Sequence, residues 1–280
     1  MWLWFTIAGI ICAVLFSQFI KVAVRDTHND TASTILLQLL TGLAALLFVP
    51  FFPFQLPTSF TPYLLLLLAV FFYGFSDRMQ ITVRKHLEVS AVGILSQIST
   101  IFMLIYSILF YQETVHLSQF FGAALILVGN IIVLYKGEII RINKYFWLAI
   151  LWFFSLATAV SIDVGVSKQF NLGIYVVATL WLPMLLFMLS TPKAINEVPK
   201  VFKKGVRRYY LLAALTWSGS IIFQFRGMQT GPLSTVIPLL ATQVLLNVVI
   251  AYIFLKERGH LGRKLIAAGF VIAGIYFTSF

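Results

Sequence analysis

Four charged residues stand out within apolar stretches of this chain: Lys21, Asp77, Asp163 and Arg226. An ionised side chain at the centre of a bilayer-crossing helix costs roughly 2.5–3.5 kcal/mol on insertion scales, so such residues are functional candidates by default. Lys21 and Asp77 fall in the first and third apolar stretches, Asp163 and Arg226 in the sixth and eighth. Each set joins one acid and one base. The chemistry this suggests is an ion pair at either mouth of a cavity, made and broken as access alternates. Asp77 and Asp163 are also candidates to carry a coupling proton. The competing reading is that Lys21 and Arg226 extend their long side chains to the membrane surface. The short side chains of Asp77 and Asp163 cannot do so.

Uncharged polar residues form a second set. Gln80, Gln97, Gln224, Gln243 and Asn247 lie inside apolar stretches. Their amides could replace part of a solute's hydration, or they could bond helix to helix. Tyr73 and Trp217 each precede a glutamine, Gln80 and Gln224, by seven residues and so share its helix face. They suit an aromatic wall for a cationic or apolar solute, with plain packing as the alternative. Glu113 and Glu257 sit in short polar turns and read as caps for the helices that follow. The four histidines, His28, His86, His116 and His260, are scattered over different turns without metal-ligand spacing, and no GxxxxGK[ST] loop is present. No metal site, cofactor or enzymatic centre is expected. The driving force must come from a solute gradient, an exchanged solute, or a proton or sodium gradient.

The elements that position these residues are ten apolar runs, at about 2–24, 33–52, 62–81, 89–111, 117–135, 145–166, 172–190, 209–226, 232–255 and 262–279. A chain that is 60% hydrophobic and 10% charged, with mean hydropathy +0.96, cannot present a soluble surface. In lipid such runs must be helices, because the backbone finds no water there. Cys12 is the one cysteine, so no disulfide framework exists. The net charge of +11 lies in short connections, which favours a topology signal over nucleic-acid binding. With ten spans, 18 of the 20 Lys and Arg fall on one side, which becomes the cytoplasmic side and leaves both termini outside.

The chain also repeats. Ser90, Phe110 and Glu113 meet Ser234, Phe254 and Glu257 after a shift of 144 residues, and Gln80 meets Gln224. With one extra residue in the turn, Gly122 and Gly129 meet Ala267 and Gly274. Five spans per copy is an odd number, so the second copy must be inverted relative to the first. Inverted repeats are the architecture of many secondary transporters, with the solute site near mid-membrane between the halves.

A Ser-rich fourth span ending in Glu113, a fifth span with Gly122 and Gly129, and their echo in Glu257, Ala267, Gly274 and the GPLSTVIPLL run together resemble the EamA module. Two such modules in tandem resemble a ten-helix member of the drug/metabolite transporter superfamily. The resemblance implies an all-α polytopic membrane protein of ten transmembrane helices in two inverted five-helix repeats, residues 1–136 and 145–280, with a linker at 137–144. It implies a multi-pass protein of the cell (inner) membrane, monomeric or homodimeric, whose partners are a small-molecule solute, a coupling proton or sodium ion and membrane lipid. The expected function is secondary active transport of a small polar metabolite, such as an amino acid or amine, by alternating access. Gln80, Gln97, Gln224, Gln243, Asn247, Tyr73 and Trp217 would bind the solute, and Lys21, Asp77, Asp163 and Arg226 would gate or couple. An anionic or phosphorylated solute, for which Lys21, Arg78, Arg84 and Arg226 would provide charge, and a flippase or scaffold for a lipid-linked sugar stay open as alternatives.

Overall fold

Asparagines start several of the helices. The Asn29 side chain accepts the Ala32 amide, Asn143 accepts those of Tyr145 and Phe146, and Asn171 accepts that of Ile174. Each satisfies donors that a helix start leaves without partners. In the computed structural model, which describes residues 1–24, 29–87, 89–135, 142–204, 207–254 and 261–279, the chain is helical throughout, with no strand among those residues. Glu257, His28, His260 and positions 137–141 of the expected linker lie outside the described residues, as do the side chains of Ser90 and Arg84.

In chain order the helices are α1 (Trp2–Ala23), α2 (Asp30–Leu46), α3 (Thr61–His86), α4 (Val89–Tyr111), α5 (Leu117–Leu134), α6 (Lys144–Val166) and α7 (Leu172–Ser190). They continue with the short α8 (Pro192–Ile195) and α9 (Val198–Lys204), then α10 (Arg207–Thr230), α11 (Leu233–Ala241), α12 (Gln243–Phe254) and α13 (Leu261–Ser279). Among the described residues six segments are long and apolar enough to cross a membrane: Trp2–Ala23, Thr61–Gln80, Ala91–Tyr111, Leu117–Leu134, Lys144–Gln169 and Leu172–Ser190. Large side chains stay exposed along helix faces, as at Leu3, Ile7, Ile11 and Leu15 on α1. That four-residue spacing makes a continuous apolar stripe, which water would penalise and lipid accepts.

The ninth run was expected as one helix over 232–255, and it is two. Pro238 has no amide to give the helical ladder. The chain then tightens at Thr242, whose amide and hydroxyl both go to the Leu239 carbonyl.

The principal contacts are α1 with α10, α3 with α6, α2 with α7, and α5 with α13. Where the sequence repeat equates α1 with α6, α3 with α10 and α5 with α13, exchanging the halves carries α1–α10 onto α6–α3 and α5–α13 onto itself. The α5–α13 crossing is close because glycines permit it: a Cβ on Gly122 would lie 2.6 Å from the Gly274 carbonyl oxygen, and one on Gly129 would lie 2.9 Å from that of Ala267. The glycine pattern of the sequence thus serves packing within one chain.

Candidate functional site

Asp163 lies near the end of α6, wholly buried, where α3 and α7 meet it. The Tyr73 hydroxyl of α3 donates to its Oδ2 at 2.7 Å, and the Tyr175 hydroxyl of α7 donates to its Oδ1 at 2.6 Å. Two residues before Asp163, the Tyr111 hydroxyl from α4 donates to the Ser161 carbonyl at 2.5 Å. Two hydroxyl donors on one carboxylate are charge-assisted bonds when it is ionised, and they satisfy it without a second buried charge.

Tyr73 has a second neighbour. It lines a cavity of about 780 Å³ enclosed by α2, α3, α4, α6, α7 and α10. Along α3 the wall continues through Ser76, Asp77 and Gln80, and α10 contributes Trp217, Ile221 and Gln224. Gln38 of α2 and Thr179 of α7 add polar groups, while Trp152, Phe153 and Leu156 of α6 supply an apolar side. At one end the cavity reaches the α3–α4 turn at Leu87, Val92 and Gly93. Gln38 Nε2 donates to Asp77 Oδ2 at 3.1 Å, and Gln224 Nε2 donates to Ser220 Oγ at 2.8 Å. Trp217 stacks on Phe16 of α1, with ring centroids 5.2 Å apart. That contact holds its indole in place on the wall.

Of the residues singled out in the sequence, the structure brings Tyr73, Asp77, Gln80, Trp217 and Gln224 together on this one cavity. Three others stand apart. Gln97 is buried between helices, where its Oε1 accepts the Asn130 amide of α5 at 3.0 Å, and the same Asn130 amide reaches the Ala241 carbonyl of α11. Asn247 accepts from Gln18 of α1 at 3.4 Å, and Gln243, at the start of α12, is not among the lining residues.

The ion pairs expected from the sequence are not what holds the two acids in this conformation. Among the described residues Asp77 is bonded by Gln38 and Asp163 by two tyrosines. Lys21 is exposed, and Arg226 donates to Gln229 Oε1 at 3.3 Å and lies over the Phe52 ring. Neutral donors satisfy a buried carboxylate without the desolvation cost of a partner cation. Glu113 also differs from expectation. Its Oε1 accepts the Leu233 amide at 2.6 Å and its Oε2 the Ser234 amide at 2.8 Å, so it caps α11 in the other half of the chain and not α5, which follows it.

The sequence reading passed over Gln38, Ser76, Thr179 and Tyr175. Gln38 had a usable signal, a single amide within ILLQLLTG, but the second span offered no repeat partner to set beside it.

Asn171 and Gln55 tie the connections at the end of the bundle near Tyr175. Asn171 Nδ2 donates to the carbonyls of Val49, Phe52 and Pro53, and Gln55 Nε2 donates to that of Lys168. The cavity therefore reaches a helix turn at its α3–α4 end, while bonded loops and a tyrosine cluster lie toward the other.

Residues 1–135 match the EamA-like transporter family. No curated protein matches the chain. A solved crystal structure superposes with a TM-score of 0.70 at 13% identity, over 98% of this chain and 98% of its own. At that identity the likeness is one of fold alone.

Proposed function

We propose, from the premise that residues 1–135 place this multi-pass membrane protein among the EamA-like transporters of the drug/metabolite superfamily, that it moves a small polar metabolite by alternating access. The architecture in this reading is ten transmembrane helices in two inverted repeats, 1–136 and 145–280. Helix pairs that map onto one another when the halves are exchanged support it. The observation that carries the functional reading is the cavity itself. It has the volume of a small-molecule site, and its lining includes two repeat-related sets, Tyr73 with Trp217 and Gln80 with Gln224.

The α3–α4 end of the cavity belongs to the side rich in Lys and Arg, so by the positive-inside rule this conformation faces the cytoplasm. The membrane is the cell (inner) membrane in this proposal. Asp163 is the coupling carboxylate: Tyr73 lies both on the cavity wall and on Asp163, so a solute displacing the Tyr73 hydroxyl would change what the acid holds. A proton is the coupling ion this arrangement supports. Lys21 and Arg226 mark the two mouths in the gating role.

An anionic cargo has less support, because among the described residues no Lys or Arg lines the cavity. Uptake of labelled amines and amino acids into proteoliposomes, with and without an imposed pH gradient, is the test. Accumulation driven by the gradient and lost in Asp163→Asn is expected. Absence of uptake for every soluble class, with scrambling of a lipid-linked sugar instead, would replace the solute reading with a flippase.

A further inference from the structure

Asp77 is the one charged side chain among the described residues that line the cavity. Gln38 occupies its Oδ2, at 3.1 Å, and Oδ1 has no hydrogen-bond partner among the described residues. A carboxylate inside a membrane protein with an open acceptor oxygen is an expensive arrangement unless something positive meets it. Within the same wall Tyr73, Trp152 and Trp217 provide aromatic surface, and the remaining polar groups are neutral amides and hydroxyls.

Resting on the reading of this cavity as the solute site, we infer that the solute is an organic amine without a carboxylate. Its ammonium group meets Asp77 Oδ1, and its apolar or aromatic body lies along Trp217 and Trp152. An N⁺–H donor completes the carboxylate with a charge-assisted bond. The ring faces attract the cation where it approaches within about 6 Å of a centroid. A zwitterionic amino acid offers the same ammonium group but brings a second anion into a cavity that already holds one. Neutral Gln80 and Gln224 can donate to that anion but cannot balance its charge. An organic anion fails on both counts. Selectivity here comes from the like-charge penalty against carboxylates as much as from attraction for the amine.

The test uses three compounds with one phenyl ring: phenethylamine, phenylalanine and 3-phenylpropionate. Their binding to the purified full chain in nanodiscs is measured by calorimetry. Phenethylamine is expected to bind at least about tenfold more tightly than phenylalanine, with 3-phenylpropionate weakest. Asp77→Asn should erase the preference for phenethylamine over the neutral phenethyl alcohol. Equal or tighter binding of phenylalanine or 3-phenylpropionate to the wild-type chain would overturn the inference, and that comparison does not depend on the variant folding. Retention of the amine preference in a folded Asp77→Asn protein would overturn it as well. Silence from all three compounds, while proteoliposomes still take up amino acids, would overturn the amine assignment and leave transport standing. Silence in both assays would remove the solute cavity itself.

Discussion

The Ser234 amide donates to the Glu113 carboxylate at 2.8 Å, with the Leu233 amide on the other oxygen at 2.6 Å, so the end of α4 holds the start of α11. Two bonds to one charged group, placed at the positive end of a helix, join the first half of the chain to the second. Under the proposed inward-facing reading, this contact would close the outer end. Hydrogen bonds to charged groups contribute about 1.5–3 kcal/mol each, so Glu113→Ala should shift the conformational equilibrium outward by on the order of tenfold or more. The measurement is labelling of Met228→Cys, in a Cys12→Ser background, by an impermeant thiol reagent added outside intact cells. Glu113→Gln retains one acceptor and should fall between. Unchanged labelling in both variants would mean that the contact is only a helix cap.

The Asp163 cluster makes a separable prediction. Tyr73→Phe and Tyr175→Phe each remove one of two donors from a buried acid, and each should lower gradient-driven uptake by about tenfold. Asp163→Asn should abolish gradient-driven accumulation while solute exchange across the membrane at equal pH continues. Loss of exchange together with accumulation would mean that Asp163 holds the fold and not the proton.

Gln97 and Gln224 have the same chemistry and different places. Gln224 lines the cavity, so Gln224→Ala should raise KM by about tenfold with little change in thermal midpoint. Gln97 bonds Asn130 in the packed interior, so Gln97→Ala should lower the midpoint, with about 1–3 kcal/mol lost, and leave KM unchanged. Kinetics and thermal unfolding on the same two preparations decide it. The reverse pattern would move the solute site toward α4 and α5.

At the α5–α13 crossing, Gly122→Ala forces a methyl to within 2.6 Å of a backbone oxygen, while Gly269 on α13 has nothing within 4 Å of where its Cβ would be. Overpacking a close crossing costs about 1–3 kcal/mol, and Gly→Ala at an open helical site gains roughly 0.5–1 kcal/mol. Gly122→Ala should therefore lower the unfolding midpoint in detergent, and Gly269→Ala should raise it slightly.

The sequence alone determined the class of the protein. Apolar runs of membrane length leave the backbone no option but the helix, and nine of the ten expected runs hold a single α-helix, although the second, expected over 33–52, stops at Leu46 and the third, expected over 62–81, runs on to His86. The 144-residue echo from Ser90–Glu113 to Ser234–Glu257 could be read without a structure, because a repeat is carried in residue order and needs no contacts to be seen. Tyr73, Gln80, Trp217 and Gln224 stood out for the same reason, as matching positions of that echo, and all four line one cavity.

Partner choice was not legible. Asp163 could have paired with Arg226, yet the tyrosines meet it; Gln97 and Asn247 could have faced a cavity, yet Asn130 and Gln18 bind them. In each case the sequence shows that a polar group is buried and must find a partner. Which partner it finds depends on helix rotation and crossing, set by packing as local as Gly122 against Gly274. Glu113 shows the same division: its role as a cap could be read from its place in a turn, but the helix it caps lies 120 residues further on and only the tertiary fold brings it there.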